Sequence, residues 1–145
     1  MDKRHFLGAA AVGGLWPAAA SARAQRSVGS GPGLLTVSGA IGRGNRGPFD
    51  AALDQLMAKH GVRFDKAFVF TSAALRRLPV VTIKPTLEYD GKVHTLAGPL
   101  LADVLKAAGV GGAGEVRLGL RAVDGYVAPV TLAEVRAWKM IVALS

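Results

Sequence analysis

The chain has 145 residues, half of them apolar and 19% charged, which suits one globular domain. It contains no cysteine, and this excludes disulfides, thiolate metal ligands and a cysteine nucleophile. The formal net charge is +8, but the basic residues are scattered and no aromatic residues interleave with them, so nucleic-acid binding is excluded as a working function.

The first 25 residues, MDKRHFLGAAAVGGLWPAAASARAQ, have a basic start at Lys3 and Arg4, an apolar middle and a small-residue end. Ala22-Arg23-Ala24 fits an A-x-A cleavage site. The apolar stretch from Phe6 to Ala20 falls short of the roughly 20 residues a spanning helix needs, and Gly8, Gly13, Gly14 and Pro17 weaken it further. Residues 1–24 are therefore expected to be a cleaved export signal, with the membrane involved only during export and a periplasmic destination. Lys3-Arg4-His5-Phe6-Leu7 resembles a twin-arginine motif with Lys in the first basic position, a departure that leaves the general secretory route open. Cleavage takes Lys3, Arg4 and Arg23 from 18 basic residues and Asp2 from 10 acidic ones, leaving a net charge of +6. That charge suits general solubility and also an anionic ligand or surface.

Residues 25–33, QRSVGSGPG, read as a flexible linker, and 34–145 as the domain. LLTVSGAI (34–41) alternates partly and predicts a strand. GRGNRG (42–47) predicts a loop. Pro48 to His60 predicts a helix, with Pro48 at its first position and Phe49, Leu53, Leu56 and Met57 on one apolar face, ended by Gly61. AFVF (67–70) predicts a short strand, and Thr71 or Ser72 caps the helix ALRRL, closed by Pro79. VVTIKPTLEY (80–89) is β-rich, although Pro85 points to an edge or a bulge. Asp90-Gly91 predicts a hairpin turn, with Lys92 to Leu96 returning as a strand. Pro99 to Ala108 predicts an amphipathic helix that buries Leu100, Leu101, Val104 and Leu105 and stops at Gly109. After GVGGAGE, VRLGLRAV and YVAPV predict two strands joined at Asp124-Gly125. Thr131 to Glu134 form a capping box for the helix LAEVRAW. Trp138 is expected to anchor the interior, and MIVALS to be a last strand. The order of elements predicts an α+β fold with a mixed sheet and short helices.

GRGNRG is a literal G-x-G-x-x-G. A dinucleotide fingerprint needs a buried parallel strand before it, a helix that begins among the glycines, and an acidic residue at the end of the next strand. Here Thr36, Ser38 and Gly39 lie in the strand, Pro48 starts the helix too late, and Asp65 precedes AFVF instead of ending it. The segment reads as a flexible loop in which Arg43, Asn45 and Arg46 could grip an anion. His60 and His94 have no partners in sequence to build a metal site. No G-x-S-x-G elbow is present, and no carboxylate pair for general acid–base work is evident. The residues alone thus give an exported α+β domain without a mechanism.

Residues 75–145 resemble the molybdopterin-binding oxidoreductase domain of the sulfite oxidase family. Leu75-Arg76-Arg77-Leu78-Pro79 is similar to its L-x-x-L-P helix end, and Thr86-Leu87-Glu88-Tyr89-Asp90-Gly91 to its T-L-E-C-x-G segment. Gly98 to Leu105 followed by Ala108-Gly109-Val110 is similar to its G-x-x-L-x-D-x-L…A-G-V helix. Ala122-Val123-Asp124-Gly125-Tyr126 is similar to its x-x-D-G-Y strand end, and Met140 to Leu144 falls where an apolar L-A strand lies. The front part, LTVSGAI through PFDAALDQLM, is similar to short exported members that carry this domain alone.

Two departures qualify what the resemblance implies. In catalytic members the cysteine of T-L-E-C is the thiolate ligand of molybdenum, and Tyr89 stands there in this chain. A phenol gives up its proton at a pKa of roughly 10 against 8.5 for a thiol, and it is a harder ligand than a thiolate. The family pattern also continues past Val142 with further cofactor-contacting strands, whereas this sequence ends at Ser145. The resemblance therefore implies an incomplete sulfite-oxidase-like molybdopterin-binding fold, with an open edge at MIVAL as an aggregation risk.

Taken together, the expected function is a non-catalytic module for an anionic small ligand or a periplasmic protein partner. No catalytic residue, metal ligand or cofactor is assigned, molybdopterin being the group the family would bring. The site implied by resemblance comprises Tyr89, Asp124 and Tyr126, with Arg43, Asn45 and Arg46 as accessory anion contacts. The alternative is an active periplasmic oxidoreductase that holds molybdopterin through a non-cysteine ligand set.

Overall fold

The computed structural model describes residues 31–111 and 114–145. The expected export signal and most of the linker lie outside the described residues. Strand β1 (Gly33–Ser38) pairs antiparallel with β2 (Ala67–Thr71), placing Leu35 opposite Phe70 and Val37 opposite Phe68. Between them lie the GRGNRG loop and a short helix α1 (Gln55–Lys59).

The expected helix from Pro48 to His60 is thus reduced to five residues, and the cause is local. The Phe49 N–H donates to the Phe64 carbonyl (2.8 Å), and the two rings meet edge to face at 6.1 Å. This holds the chain out of helical geometry at 48–50. The Asp54 side chain is spent on Arg46 and on the Asp50 N–H, so it makes no cap bond to α1. The apolar face expected of this helix is not buried either: Leu53 is 78% exposed and Leu56 is also exposed.

Helix α2 (Ser72–Arg76) starts directly from β2, because Thr71 Oγ1 accepts the Ala74 N–H at 3.2 Å. Strand β3 (Val80–Ile83) pairs antiparallel with β4 (Leu96–Pro99). The β-rich run expected to reach Tyr89 stops at Ile83, two residues before Pro85, which has no N–H to give a ladder. Beyond it a single bridge, Thr86 to Val93, holds the hairpin, and most of the expected return strand from Lys92 is irregular.

Helix α3 (Leu101–Ala107) buries Leu101, Val104 and Leu105 as expected, whereas Leu100, expected in the same stripe, is only half-buried. Pro99 ends β4 instead of opening this helix, and Leu100 is the N-cap with extended backbone. Strands β5 (Arg117–Arg121) and β6 (Val127–Thr131) form a third antiparallel pair, followed by helix α4 (Leu132–Ala137). Thr131 and Glu134 make the expected capping box.

Three helices end in one motif. The backbone turns left-handed at Gly61, Gly109 and Lys139, and the next N–H reaches back to the carbonyl of Met57, Leu105 and Val135 respectively. Trp138, expected in the interior, sits at the C-cap of α4 with 62% of its surface exposed.

The segment 140–145, expected as a last strand, forms only an isolated bridge, Ile141 to Leu100, and otherwise runs as irregular chain antiparallel along β4. Val142 N–H donates to Pro99 (2.9 Å), Leu144 N–H to Ala97 (2.8 Å), and Ala97 N–H to Ser145 (2.8 Å). The fold is α+β. The described strands form three two-stranded ladders, all antiparallel, in place of the expected mixed sheet. One core unites them: Phe70, Leu75, Leu101, Val104, Leu105, Ala108, Leu132 and Val135 are buried together. No helix among the described residues is long and apolar enough to cross a membrane.

Candidate functional site

The GRGNRG loop spends four of its six backbone N–H groups on the protein itself. Gly42 N–H donates to the Gly109 carbonyl (3.0 Å) and Arg43 N–H to Ala108 (3.1 Å), while Asn45 and Arg46 N–H groups both reach the Ala67 carbonyl (3.1 and 3.3 Å). A phosphate-cradling loop needs such donors free and convergent. Here they cover carbonyls at the end of α3 and the start of β2. Gly42 and Gly109 serve this approach: a Cβ on Gly42 would lie 3.1 Å from the Gly109 carbonyl oxygen, and one on Gly109 2.9 Å from the Arg43 nitrogen.

The three side chains expected to grip an anion there have separate surroundings. The Asn45 amide pairs with both backbone groups of Val69, accepting its N–H at 2.7 Å and donating to its carbonyl at 2.8 Å. Arg46 forms a two-pronged pair with Asp54 at 2.9 and 2.6 Å. Its guanidinium also lies 5.0 Å above the centre of the Phe64 ring. The Arg46 hydrogen bond holds the Asp54 carboxyl below its ordinary range, helped by the Asp50 N–H and opposed by partial burial. Arg43 alone reaches open space. It lines a cleft of about 310 Å³ with Leu78, Pro79, Asp103, Lys106 and Ala107.

Tyr89 stands in the turn between β3 and β4 with 79% of its surface exposed. Beside it, His94 Nε2 meets Asp90 Oδ2 at 2.8 Å, while Asp90 Oδ1 accepts the Lys92 N–H at 3.0 Å. This His–Asp pair was not legible in advance, because its four-residue separation spans a hairpin and not a helical turn. Asp124 Oδ1 accepts the Tyr126 N–H at 2.9 Å, which shapes the β5–β6 turn, and the Tyr126 side chain is 69% exposed. Among the described residues, no hydrogen bond or ion pair joins Tyr89 to Asp124, to Tyr126 or to the 43–46 loop.

A further contact was missed at sequence level. His60 Nε2 lies 3.1 Å from the Val123 carbonyl. A carbonyl only accepts, so Nε2 carries the proton. Its ring also packs under Gly125, where a Cβ would fall 2.6 Å from Nδ1. This ties α1 to the β5–β6 turn across 63 residues of sequence.

A molybdenum centre held by thiolate does not fit these side chains. Tyr89, at the position that the resemblance aligns with the thiolate, is a solvent-exposed phenol, and the chain has no cysteine. Among the described residues, no group of three or more His, Asp or Glu is placed to hold a metal ion. No family model, curated protein or solved structure matches the chain.

Proposed function

We propose that this chain is an exported domain of the sulfite-oxidase type that has lost the metal-holding thiolate and works in the periplasm as a non-catalytic binding module. Its ligand is a small anion or an acidic face of a protein partner. One observation carries the reading: tyrosine stands at position 89, within the segment most similar to the family's T-L-E-C-x-G. A phenol there lacks the soft donation that a thiolate gives molybdenum. The net positive charge supports an anionic partner. The small-residue site before Gln25 supports export.

The test is elemental and pterin analysis of folded protein purified from its native envelope, together with N-terminal sequencing. Absence of stoichiometric molybdenum and pterin, with an N-terminus near Gln25, is the expected result. Stoichiometric metal with pterin would overturn the non-catalytic reading and favour an oxidoreductase with a non-cysteine ligand set.

A further inference from the structure

The cleft beside Arg43 combines three things an anion site needs. It has room: an open groove of about 310 Å³, more exposed to solvent than the enclosed clefts of typical small-molecule sites. It has an apolar wall from Leu78, Pro79 and Ala107. It has two cations, Arg43 and Lys106, that make no ion pair among the described residues, whereas Arg46 and Arg117 each have a carboxylate partner.

The Arg43 backbone is fixed in place. Its N–H is bonded to the Ala108 carbonyl, and Gly42 packs on Gly109. The loop that looked like a phosphate cradle thus presents one guanidinium to the cleft that Lys106 also lines. Asp103 lines the same cleft three residues upstream of Lys106 and makes no ion pair with it. A bare inorganic anion would meet that carboxylate. An organic anion can set its charged head against Arg43 and Lys106 and lay its apolar body on Leu78, Pro79 and Ala107.

We infer that this cleft binds a small organic anion, a phosphate or carboxylate on a short apolar body. The inference rests on the reading of the chain as a binding module and gives that module a location.

Butyl phosphate and inorganic phosphate are the probes, titrated into the isotope-labelled full chain and followed by amide NMR shifts. Butyl phosphate is expected to give saturable shifts at Arg43, Leu78, Lys106 and Ala107. It should bind about tenfold more tightly than inorganic phosphate, the effect of removing roughly two methylenes from water. Arg43→Gln and Lys106→Gln should each weaken it about three- to fivefold, the size of an exposed charge pair. Arg121→Gln, which changes net charge equally but does not line the cleft, should leave it unchanged. Asp103→Asn should tighten binding, and Asp65→Asn, also outside the cleft, should not.

Equal losses in Arg43→Gln and Arg121→Gln would overturn the site in favour of diffuse attraction by net charge. Saturable shifts elsewhere, untouched by Arg43→Gln, would overturn the location and leave an anion-binding module. No saturable shift with either probe would overturn the cleft as a site and leave the protein-partner form of the module.

Discussion

Single positions in this chain are decided by whether a Cβ has room and by the sign of φ. A Cβ on Gly98 would lie 1.8 Å from the Val142 carbonyl oxygen. That oxygen belongs to the backbone that runs beside β4, so it cannot rotate away. Gly98→Ala should therefore cost about 3 kcal/mol or more, at or above the upper end of overpacking penalties. The check is the urea midpoint, where a shift of under about 0.5 kcal/mol would show that the 140–145 segment does not hold this register. Lys139 is the opposite case. It is the one non-glycine residue at positive φ among the described residues (φ 49°), at the position where Gly61 and Gly109 end α1 and α3. A left-handed L-residue costs roughly 1–2 kcal/mol, and glycine gives back roughly 0.5–1 in chain entropy. Lys139→Gly should gain up to about 1 kcal/mol, read as a higher melting temperature.

Elements here are ended and joined by side chains from other parts of the sequence. Asp54 is the clearest example, because it serves Arg46 and Asp50 instead of capping α1. Its folded pKa lies below the ordinary value, chiefly through the Arg46 hydrogen bond. The stability it contributes is therefore fully present above the unfolded carboxylate pKa of about 3.9. It is lost as pH falls from there through the lower folded value. Wild type and Asp54→Asn should differ in urea midpoint at pH 6, and the gap should close progressively below about pH 4. A gap that stays constant down to pH 2 would show that the pair contributes no titratable stability. The same element illustrates a limit of pattern reading. Leu53, Leu56 and Met57 have helical spacing, but the Phe49–Phe64 contact and the Asp54 pairing cut the helix before that face finds a wall.

The whole molecule is held by one core to which α1 contributes no buried residue. Leu75, 1% exposed, is one of its most fully buried large side chains. Leu75→Ala should cost about 2–5 kcal/mol, whereas Leu53→Gln should stay within about 0.5 kcal/mol. Equal effects of the two changes in chemical denaturation would mean that the turn leading into α1 is packed in solution. At this scale the exposed Tyr89, Asp124 and Tyr126 lie on two hairpin turns, one between β3 and β4 and one between β5 and β6. Arg43 lies apart from both turns in sequence, beside α3.

The sequence by itself determined the features whose signals lie within three or four residues. These are the order of strands and helices from β1 to α4, the Thr71 and Thr131 caps, the turns at Gly91 and Gly125, the stop at Gly109, and the lack of any thiolate. A cap, a turn or a missing sulfur needs no distant partner to be read. Only the tertiary structure decided the partners of Asn45, Arg46 and His60, and the exposure of Trp138. The Asn45 amide meets Val69 from 24 residues away, and His60 meets Val123 from 63. A polar side chain in a loop has no periodicity to show whether its hydrogen bonds go to a ligand or to the protein. For the same reason GRGNRG could be read as a loop, and the single side chain it leaves facing a cleft could not.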